Sequence, residues 1–266
     1  MTAFTNRVIV ITGASSGIGR ALARELAVER PRLVLAARDA ERLEEVAADC
    51  ERLGAETLVV PTDVTRPEEC GRMIDQCVAR FGGGDVLVNN AGRAMWARFD
   101  ELDDLAVMAD IMHVNYLGCV YGTHFALPHL KRSRGLVVAV ASISGIVGAP
   151  MLSGYSASKH AVIGFFESLR IELAASGVGV TIVAPDFVQS EILSRATGAS
   201  GAPLGTSPMD PQTLMTAEEC ARRIVRAMTA RRRLTFTSLR SSWARLGLLL
   251  APKLVDRIAR RAVGER

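Results

Sequence analysis

Apolar residues in this chain fall into short continuous runs, separated by longer stretches in which they recur every three or four positions. The runs lie at 7–12 (RVIVIT), 33–37 (LVLAA), 57–61, 85–89 (DVLVN), 136–141 (LVVAVA) and 180–184 (VTIVA), with a weaker one at 234–237. Runs without polar alternation predict strands covered on both faces. Helical spacing occupies 17–29, 40–53, 67–81, 101–132, 153–176 and 217–230. Strand and helix in regular alternation predict an α/β fold, a single doubly wound parallel sheet of about seven strands with right-handed crossovers and helices on both faces. No linker, low-complexity segment or internal repeat divides it. We expect one domain over 1–240, followed by a basic helical extension over 241–266 of the same domain.

One stretch, 189–216, is rich in Gly, Ser, Pro and Ala and lacks either period. It follows the C-terminal end of a strand, the side on which open α/β sheets bind ligands. It reads as a substrate lid or as a mobile surface loop.

Composition narrows the class. With 49% hydrophobic and 23% charged residues the chain is an ordered globular protein. Its five cysteines are odd in number and form no CxxC pair, which favours free buried thiols in a reducing compartment over disulfides or a metal site. The N-terminus lacks the apolar segment and cleavage site of a signal peptide, so a cytoplasmic location is expected. The longest uncharged stretch, 135–158, is broken by Ser142, Ser144, Gly145, Gly148, Pro150, Ser153 and Gly154. It reads as a buried strand and loop rather than a membrane span. Of the net charge of +4, the segment from Ser238 onward carries +5 (Arg240, Arg245, Lys253, Arg257, Arg260, Arg261 and Arg266 against Asp256 and Glu265), leaving about −1 for the body. A near-neutral body argues against nucleic acid as the main partner.

Chemistry enters at the first strand–helix junction, Thr12-Gly13-Ala14-Ser15-Ser16-Gly17-Ile18-Gly19. Glycines there let the backbone turn tightly and approach a pyrophosphate, whose charge then faces a helix N-terminus. The end of the second strand selects the dinucleotide. An acidic residue there would bond the ribose hydroxyls of NAD. This chain has Ala36-Ala37-Arg38, and a guanidinium can clamp a 2′-phosphate, so NADP(H) is expected over NAD, with Asp39 as a competitor for the arginine. Further on, Tyr155 and Lys159 lie four residues apart on a helical pattern and share a face. A phenol holds its proton too tightly for acid–base work at neutral pH, and a neighbouring ammonium favours its release.

The spacing TGxxxGxG, followed by Asp63-Val64 after the third strand, Asn89-Asn90-Ala91-Gly92 after the fourth and YSASK at 155–159, resembles the short-chain dehydrogenase/reductase family over essentially the whole chain. The order YSASK…GFFESLRIEL and the long C-terminal segment look most like the branch of 11-beta-hydroxysteroid dehydrogenase-like reductases. The resemblance implies a Rossmann-type fold and a cofactor site of Gly13, Ser15, Ser16, Gly17, Ile18, Gly19, Asp63, Val64, Asn90, Ala91 and Gly92, with Tyr155 and Lys159 on the nicotinamide ribose. It also implies a catalytic set of Asn115, Ser142, Tyr155 and Lys159: Ser142 orients the substrate oxygen, and Asn115 supports a water behind the lysine. The reaction implied is hydride transfer between NADPH and a carbonyl or secondary alcohol, with Tyr155 passing the proton. Homodimers or homotetramers are usual in the family.

After the sixth strand the family has PGxVxT, whereas this chain has Pro185-Asp186-Phe187-Val188-Gln189-Ser190. Pro185, Val188 and Ser190 are still expected to serve the nicotinamide. Asp186 in place of glycine either restricts the backbone or puts a carboxylate near the substrate. His113, His124, His129 and His160 have no metal-binding spacing, and no metal is expected. Met95, Trp96, Met151, Leu152 and Phe187 are candidates to line an apolar substrate pocket, which suits a steroid, acyl or aromatic ketone. The segment 241–263 has helical spacing split by Pro252. Its apolar stripe with basic flanks could lie on an anionic membrane surface; closing over the pocket or packing on a partner subunit is the reading preferred. Two other functions use parts of the same pattern. A non-catalytic NADP-binding sensor or scaffold would not need the four catalytic residues together. A sugar-nucleotide epimerase would have GxxGxxG and a larger substrate domain.

Overall fold

The computed structural model describes residues 3–264; Glu265 and Arg266, counted in the tail's charge, lie outside the described residues. The predicted runs become β1 (Val8–Thr12), β2 (Arg32–Ala37), β3 (Glu56–Pro61), β4 (Val86–Asn89), β5 (Leu136–Val140), β6 (Gly179–Ala184) and β7 (Leu234–Phe236). All pair in parallel in the order β3-β2-β1-β4-β5-β6-β7.

The runs are continuous because each strand feeds two cores. Ile9 and Ile11 of β1, Leu33 and Leu35 of β2, and Leu136, Val138 and Val140 of β5 point to one face. There they meet Leu22 and Leu26 of α1 (Gly17–Ala27), Leu43 and Val46 of α2 (Ala40–Arg52) and Ile224 of α8 (Ala217–Thr229). Val8 and Val10, Val34 and Ala36, and Val137 and Ala139 point to the other. These pack on Met73 and Ile74 of α3 (Pro67–Phe81), Leu130 of α5 (Gly118–Ser133) and Val162 and Phe166 of α6 (Ser153–Glu172). A fully buried Leu, Ile or Phe stabilises by about 1.5–3 kcal/mol. Truncating Ile11, which has no exposed surface, to alanine would cost about 2–5 kcal/mol.

The long helix expected over 101–132 is broken up. A 3₁₀ turn at Phe99–Glu101 precedes α4 (Ala106–Met112), whose start is fixed by Asp104 Oδ1 accepting from Ala106 N at 2.8 Å. A π turn, His113–Leu117, then separates α4 from α5. The helix expected over 153–176 ends at Glu172 and is followed by a 3₁₀ turn, Ala174–Ser176. The uncharged stretch 135–158 divides into β5, a 3₁₀ turn at Ile143–Gly145 and the first turns of α6. Among the described residues no helix is long and apolar enough to cross a membrane.

The irregular stretch after β6 contains α7 (Glu191–Ser194) and a 3₁₀ turn at Pro211–Thr213. Single bridges tie it down, Val188 to Met215 at its ends and Thr197 to Met95 and Pro203 in its middle. The chain closes with α9 (Leu239–Leu250) and α10 (Pro252–Ala262), which Pro252 starts as a separate helix. Strand order reverses between β1 and β4, so a crevice opens at the C-terminal ends of these strands.

Candidate active site

The crevice is built on Thr12, the last residue of β1. Its Oγ1 accepts from Asn90 N (3.0 Å) and Ala91 N (3.1 Å), while Asn90 Nδ2 donates to the carbonyls of Thr12 (2.9 Å) and Gly13 (3.1 Å). The ends of β1 and β4 are thereby stitched side by side. Two glycines are required by this closeness. Gly13 has φ +66°, and a Cβ there would stand 2.8 Å from Ala91 Cα. A Cβ on Gly19 would stand 2.1 Å from Gly13 O.

Helix α1 begins at Gly17 with Ser16 as an extended N-cap that makes no side-chain capping bond, and its first turn holds no acidic residue. In α2, α8 and α9 the caps Asp39, Thr216 and Ser238 do bond the first turn. The N–H groups at the start of α1 therefore remain for an anion, beside a turn that admits close approach. Ser190 closes this region from the other side: a Cβ built on Gly17 would be 3.0 Å from Ser190 Cβ.

At the end of β2 the expected competition between Asp39 and Arg38 does not occur. Asp39 Oδ1 accepts from Arg42 N (3.1 Å) as the cap of α2, and Oδ2 lies 3.4 Å from Arg42 Nε. Among the described residues Arg38 makes no ion pair, and it is exposed. Arg42 reaches across to α7, its Nη1 donating to Glu191 Oε2 at 2.8 Å. The Glu191 hydrogen bond and charge raise the Arg42 guanidinium further above its ordinary value. Partial burial pushes the Asp63 carboxyl up. Bonds from Thr65 N (3.0 Å) and Oγ1 (2.8 Å), with the charges of Arg38 and Arg66, outweigh that and hold it below the usual range.

On the other side of the crevice, Lys159 on α6 is buried and donates from Nζ to Val140 O at 3.0 Å. The same Nζ lies 5.7 Å from the ring centroid of Tyr155, so the two side chains share one face as their spacing predicted. Ser142, two residues beyond Val140, is buried, and its Oγ accepts from Ser144 N at 3.1 Å. Asn115 sits at the centre of the π turn with no exposed surface. It accepts from Arg93 N (2.8 Å) and donates to Arg93 O and Ser158 Oγ (2.9 Å each), while Ser158 Oγ donates to Tyr155 O at 2.7 Å. The extra residue of a π turn lets an asparagine leave the helical surface and meet the chain after β4. Gly92 touches both groups: a Cβ there would be 3.4 Å from Asn115 Oδ1 and 3.7 Å from Lys159 Nζ. Cys119, fully buried near this lysine, is pushed up to about 11 by burial, with Lys159 opposing.

The Tyr155 ring packs between two apolar clusters, one of Ala94, Trp96, Leu152, Leu193 and Ala196, the other of Met95, Ala97, Val107 and Ile111. Met151 and Phe187 pack against the first, and so does Val263 at the end of α10. The expected lining residues Met95, Trp96 and Leu152 belong to these two clusters, and Met151 and Phe187, like Tyr155, pack against the first.

The loop after β6 corrects one expectation. Asp186 is absent from the positive-φ residues, so it does not need glycine's conformational freedom, and its carboxylate is engaged by neighbouring residues. Oδ1 accepts from Phe187 N at 3.0 Å, and Oδ2 accepts from Ser238 Oγ (2.8 Å) and Ser241 Oγ (3.0 Å) at the start of α9. Pro185 O accepts from Ile143 N at 2.8 Å, joining this loop to the Ser142 turn. His160 turns back along its own helix, with Nδ1 2.8 Å from Ser156 O. Among the described residues no three of His, Cys, Asp and Glu are grouped to hold a metal ion.

Sequence reasoning missed Thr12, Arg42, Arg93 and Ser158. The threonine stood in the motif, but its bonds run to residues 78 and 79 positions away. Arg42 carried a local signal, a second cation one helical turn beyond Arg38.

Comparison with known proteins gives concordant matches. The family model described as short chain dehydrogenase matches residues 7–199. The protein 11-beta-hydroxysteroid dehydrogenase-like 4A of Arabidopsis thaliana is 41% identical over 244 residues, covering 90% of this chain and 78% of the relative. The 11-beta-hydroxysteroid dehydrogenase 1A of the same plant is 37% identical over 260 residues, covering 94% and 73%. Among solved structures, a short chain dehydrogenase/reductase from Burkholderia phymatum in complex with NAD superposes with a TM-score of 0.83 at 26% identity, covering 96% of this chain and 97% of that one. An alcohol dehydrogenase from the archaeon Thermococcus sibiricus, complexed with 5-hydroxy-NADP, gives 0.74 at 28% identity, covering 86% and 94%.

Proposed function

We propose that this chain, which belongs to the short-chain dehydrogenase/reductase family, is an NADP(H)-dependent oxidoreductase interconverting a carbonyl and a secondary alcohol on an apolar small molecule. The observation that carries the reading is the Tyr155–Lys159 pair, backed by buried Asn115 and Ser142 and set across one crevice from the uncapped N-terminus of α1. The residues fit a dinucleotide. Gly13, Ser15, Ser16, Gly17, Ile18 and Gly19 offer backbone N–H groups to a pyrophosphate, Asp63 and Val64 flank the adenine, and Asn90, Ala91 and Gly92 line the path between the two ends. Pro185, Val188 and Ser190 hold the carboxamide end, and Tyr155 and Lys159 the adjoining ribose.

NADPH, when bound, supplies the hydride. The Tyr155 hydroxyl holds the proton and passes it to the carbonyl oxygen. The Lys159 ammonium places positive charge beside the phenol ring, 5.7 Å from its centroid. Ser142 Oγ, free to donate while it accepts from Ser144 N, orients the substrate oxygen. The apolar clusters around Tyr155 exclude water and accept a steroid, acyl or aromatic ketone, in keeping with the names of the hydroxysteroid dehydrogenase relatives. The solved relatives carry NAD and a hydroxylated NADP, so the preference for NADP rests on Arg38, which makes no ion pair among the described residues, and on the absence of an acid at Ala37.

The stretch 189–216 is read as a lid, and 241–266 as an extension that covers the pocket. Val263 packs against the cluster that holds Ala94, Trp96 and Leu152, which supports covering at the far end of the hairpin, while the exposed Trp243, Leu249 and Leu250 leave the apolar stripe of α9 open to a partner subunit or a membrane surface. We expect a homodimer or homotetramer in the cytoplasm; the five buried free thiols suit a reducing compartment. The test is NADPH consumption with a panel of hydrophobic ketones by wild type and Tyr155→Phe. The variant is expected to lose about 10²–10⁴-fold in turnover while still binding NADPH. Turnover retained in the variant would overturn the assignment. NADPH binding without turnover of any substrate by wild type would leave a sensor.

A further inference from the structure

Asp186 occupies a position where the family pattern has glycine, and its carboxylate divides its oxygens between two elements. Oδ1 holds the loop after β6 through Phe187 N, and Oδ2 receives both serine hydroxyls at the start of α9. The bridge is reinforced. Thr237, which has no exposed surface, accepts from Asp186 N through Oγ1 at 2.9 Å, and its carbonyl takes a bond from Arg223. Ser241 is 1% exposed, and Ser238 caps α9 by accepting from Ser241 N at 3.1 Å. A carboxylate at a helix N-terminus also gains from the helix dipole. The other end of the hairpin returns to the same neighbourhood, where Val263 packs with the cluster that includes Phe187 and Tyr155. Much of α9 and α10 is otherwise in solvent: Leu239 is 84%, Leu249 80% and Leu250 75% exposed. The hairpin's attachment to the body is thus concentrated at its two ends, and both lie beside the loop after β6.

We propose that Asp186 is a positioning residue that locks the α9–α10 hairpin to the loop after β6, so that filling the cofactor end and seating the hairpin over the pocket are linked. This rests on the reading of Pro185, Val188 and Ser190 as the nicotinamide site. A ligand that orders the loop then strengthens the hairpin's attachment, and loosening the hairpin weakens the loop in return.

The test is hydrogen–deuterium exchange on the full chain with and without NADP+, in wild type, Asp186→Gly, Asp186→Asn and the double variant Ser238→Ala/Ser241→Ala, with steady-state kinetics on each. Glycine restores the family residue and should fold. The asparagine keeps an acceptor for Phe187 N and loses the carboxylate oxygen that serves both serines. In wild type, NADP+ should slow exchange across 239–262 as well as at 13–19. In the variants exchange across 239–262 should be about 10- to 100-fold faster without cofactor, the scale of losing hydrogen bonds to a charged group. NADP+ should no longer slow it, and KM for the ketone should rise more than kcat falls. Wild-type exchange rates across 239–262 in Asp186→Gly and the double serine variant would overturn the lock. Undiminished slowing by NADP+ in those variants would overturn the linkage. If NADP+ leaves 13–19 unaffected in wild type, the cofactor reading fails, and the comparison without cofactor still decides whether Asp186 is the lock.

Discussion

Replacing Asn115 by alanine removes three hydrogen bonds from a side chain with no exposed surface. Ser158 Oγ keeps its bond to Tyr155 O, so α6 loses no obligatory partner. The damage falls on Arg93, whose backbone N–H and carbonyl both depend on the amide. A buried polar group left alone costs about 1–3 kcal/mol. A water can enter a void of amide size with polar walls and recover part of this. We therefore expect a net loss of about 2–4 kcal/mol, which lowers the melting temperature by about 5–10 °C. Thermal and urea unfolding, compared with Asn115→Asp as a control that keeps one acceptor for Arg93 N, measure it. Because Arg93 follows Gly92, which lies against Lys159 Nζ, displacement there should also lower kcat by about 10- to 100-fold. KM for NADPH should change little, since the pyrophosphate turn is stitched separately through Thr12. A melting temperature and kcat both indistinguishable from wild type would refute the reasoning that the π turn exists to deliver this amide.

Burial raises Cys50, Cys70, Cys77 and Cys220 to about 12 and Cys119 to about 11, from an ordinary 9.0. Their contribution is fully present below pH 9 and is lost as pH rises from there towards 11–12, because the unfolded chain ionises first. Denaturant unfolding between pH 8 and 10.5 should show stability falling at up to about 1.4 kcal/mol per pH unit per cysteine, and a flat profile would contradict it. Arg38→Ala should weaken NADPH binding by about tenfold and leave NADH nearly unchanged, whereas Glu191→Gln, by releasing Arg42, should tighten NADPH; fluorescence titration of both cofactors reads the ratio. An unchanged ratio in Arg38→Ala would remove the case for NADP preference. Gly19→Ala would place its methyl 2.1 Å from Gly13 O and 2.6 Å from Asn90 Nδ2. It should lower stability by about 1–3 kcal/mol and abolish tight cofactor binding, as unfolding and titration would show.

The sheet was legible in the sequence because burial on two faces leaves a local mark, six apolar runs and a weaker seventh. The placement of the glycine turn and of the Tyr155–Lys159 pair was legible because their residues sit in a few consecutive positions at a strand end or on one helical turn, whereas Ser142 was picked out by the family resemblance. The interruption at His113–Leu117 was not, since a π turn adds one residue without disturbing the apolar spacing enough to register. Nor was the destination of the Asp186 carboxylate. Its partners lie 52 and 55 residues downstream, and those of Arg42 and Glu191 are 149 residues apart. Contacts of that span come from the packing of elements, which no local pattern encodes.

In a parallel sheet every strand ends on the same edge, so the segment that leads into β1 and the segment that follows α10 meet different surroundings. The start of the chain is fastened at the opposite edge, with Phe4 N bonded to Glu29 Oε2 (2.8 Å), Asn6 N to Arg30 O (3.2 Å) and Val8 N to Asp85 Oδ2 (2.9 Å). Val263, by contrast, packs against the cluster of Ala94, Trp96, Leu152, Leu193 and Ala196, against which Tyr155 also packs. An affinity tag or surface linker added at the N-terminus would hang away from the crevice. A bulky group attached close to Val263 would start beside the cluster that Tyr155 also packs against, so labels placed near Phe4 and near Val263 should not be kinetically interchangeable.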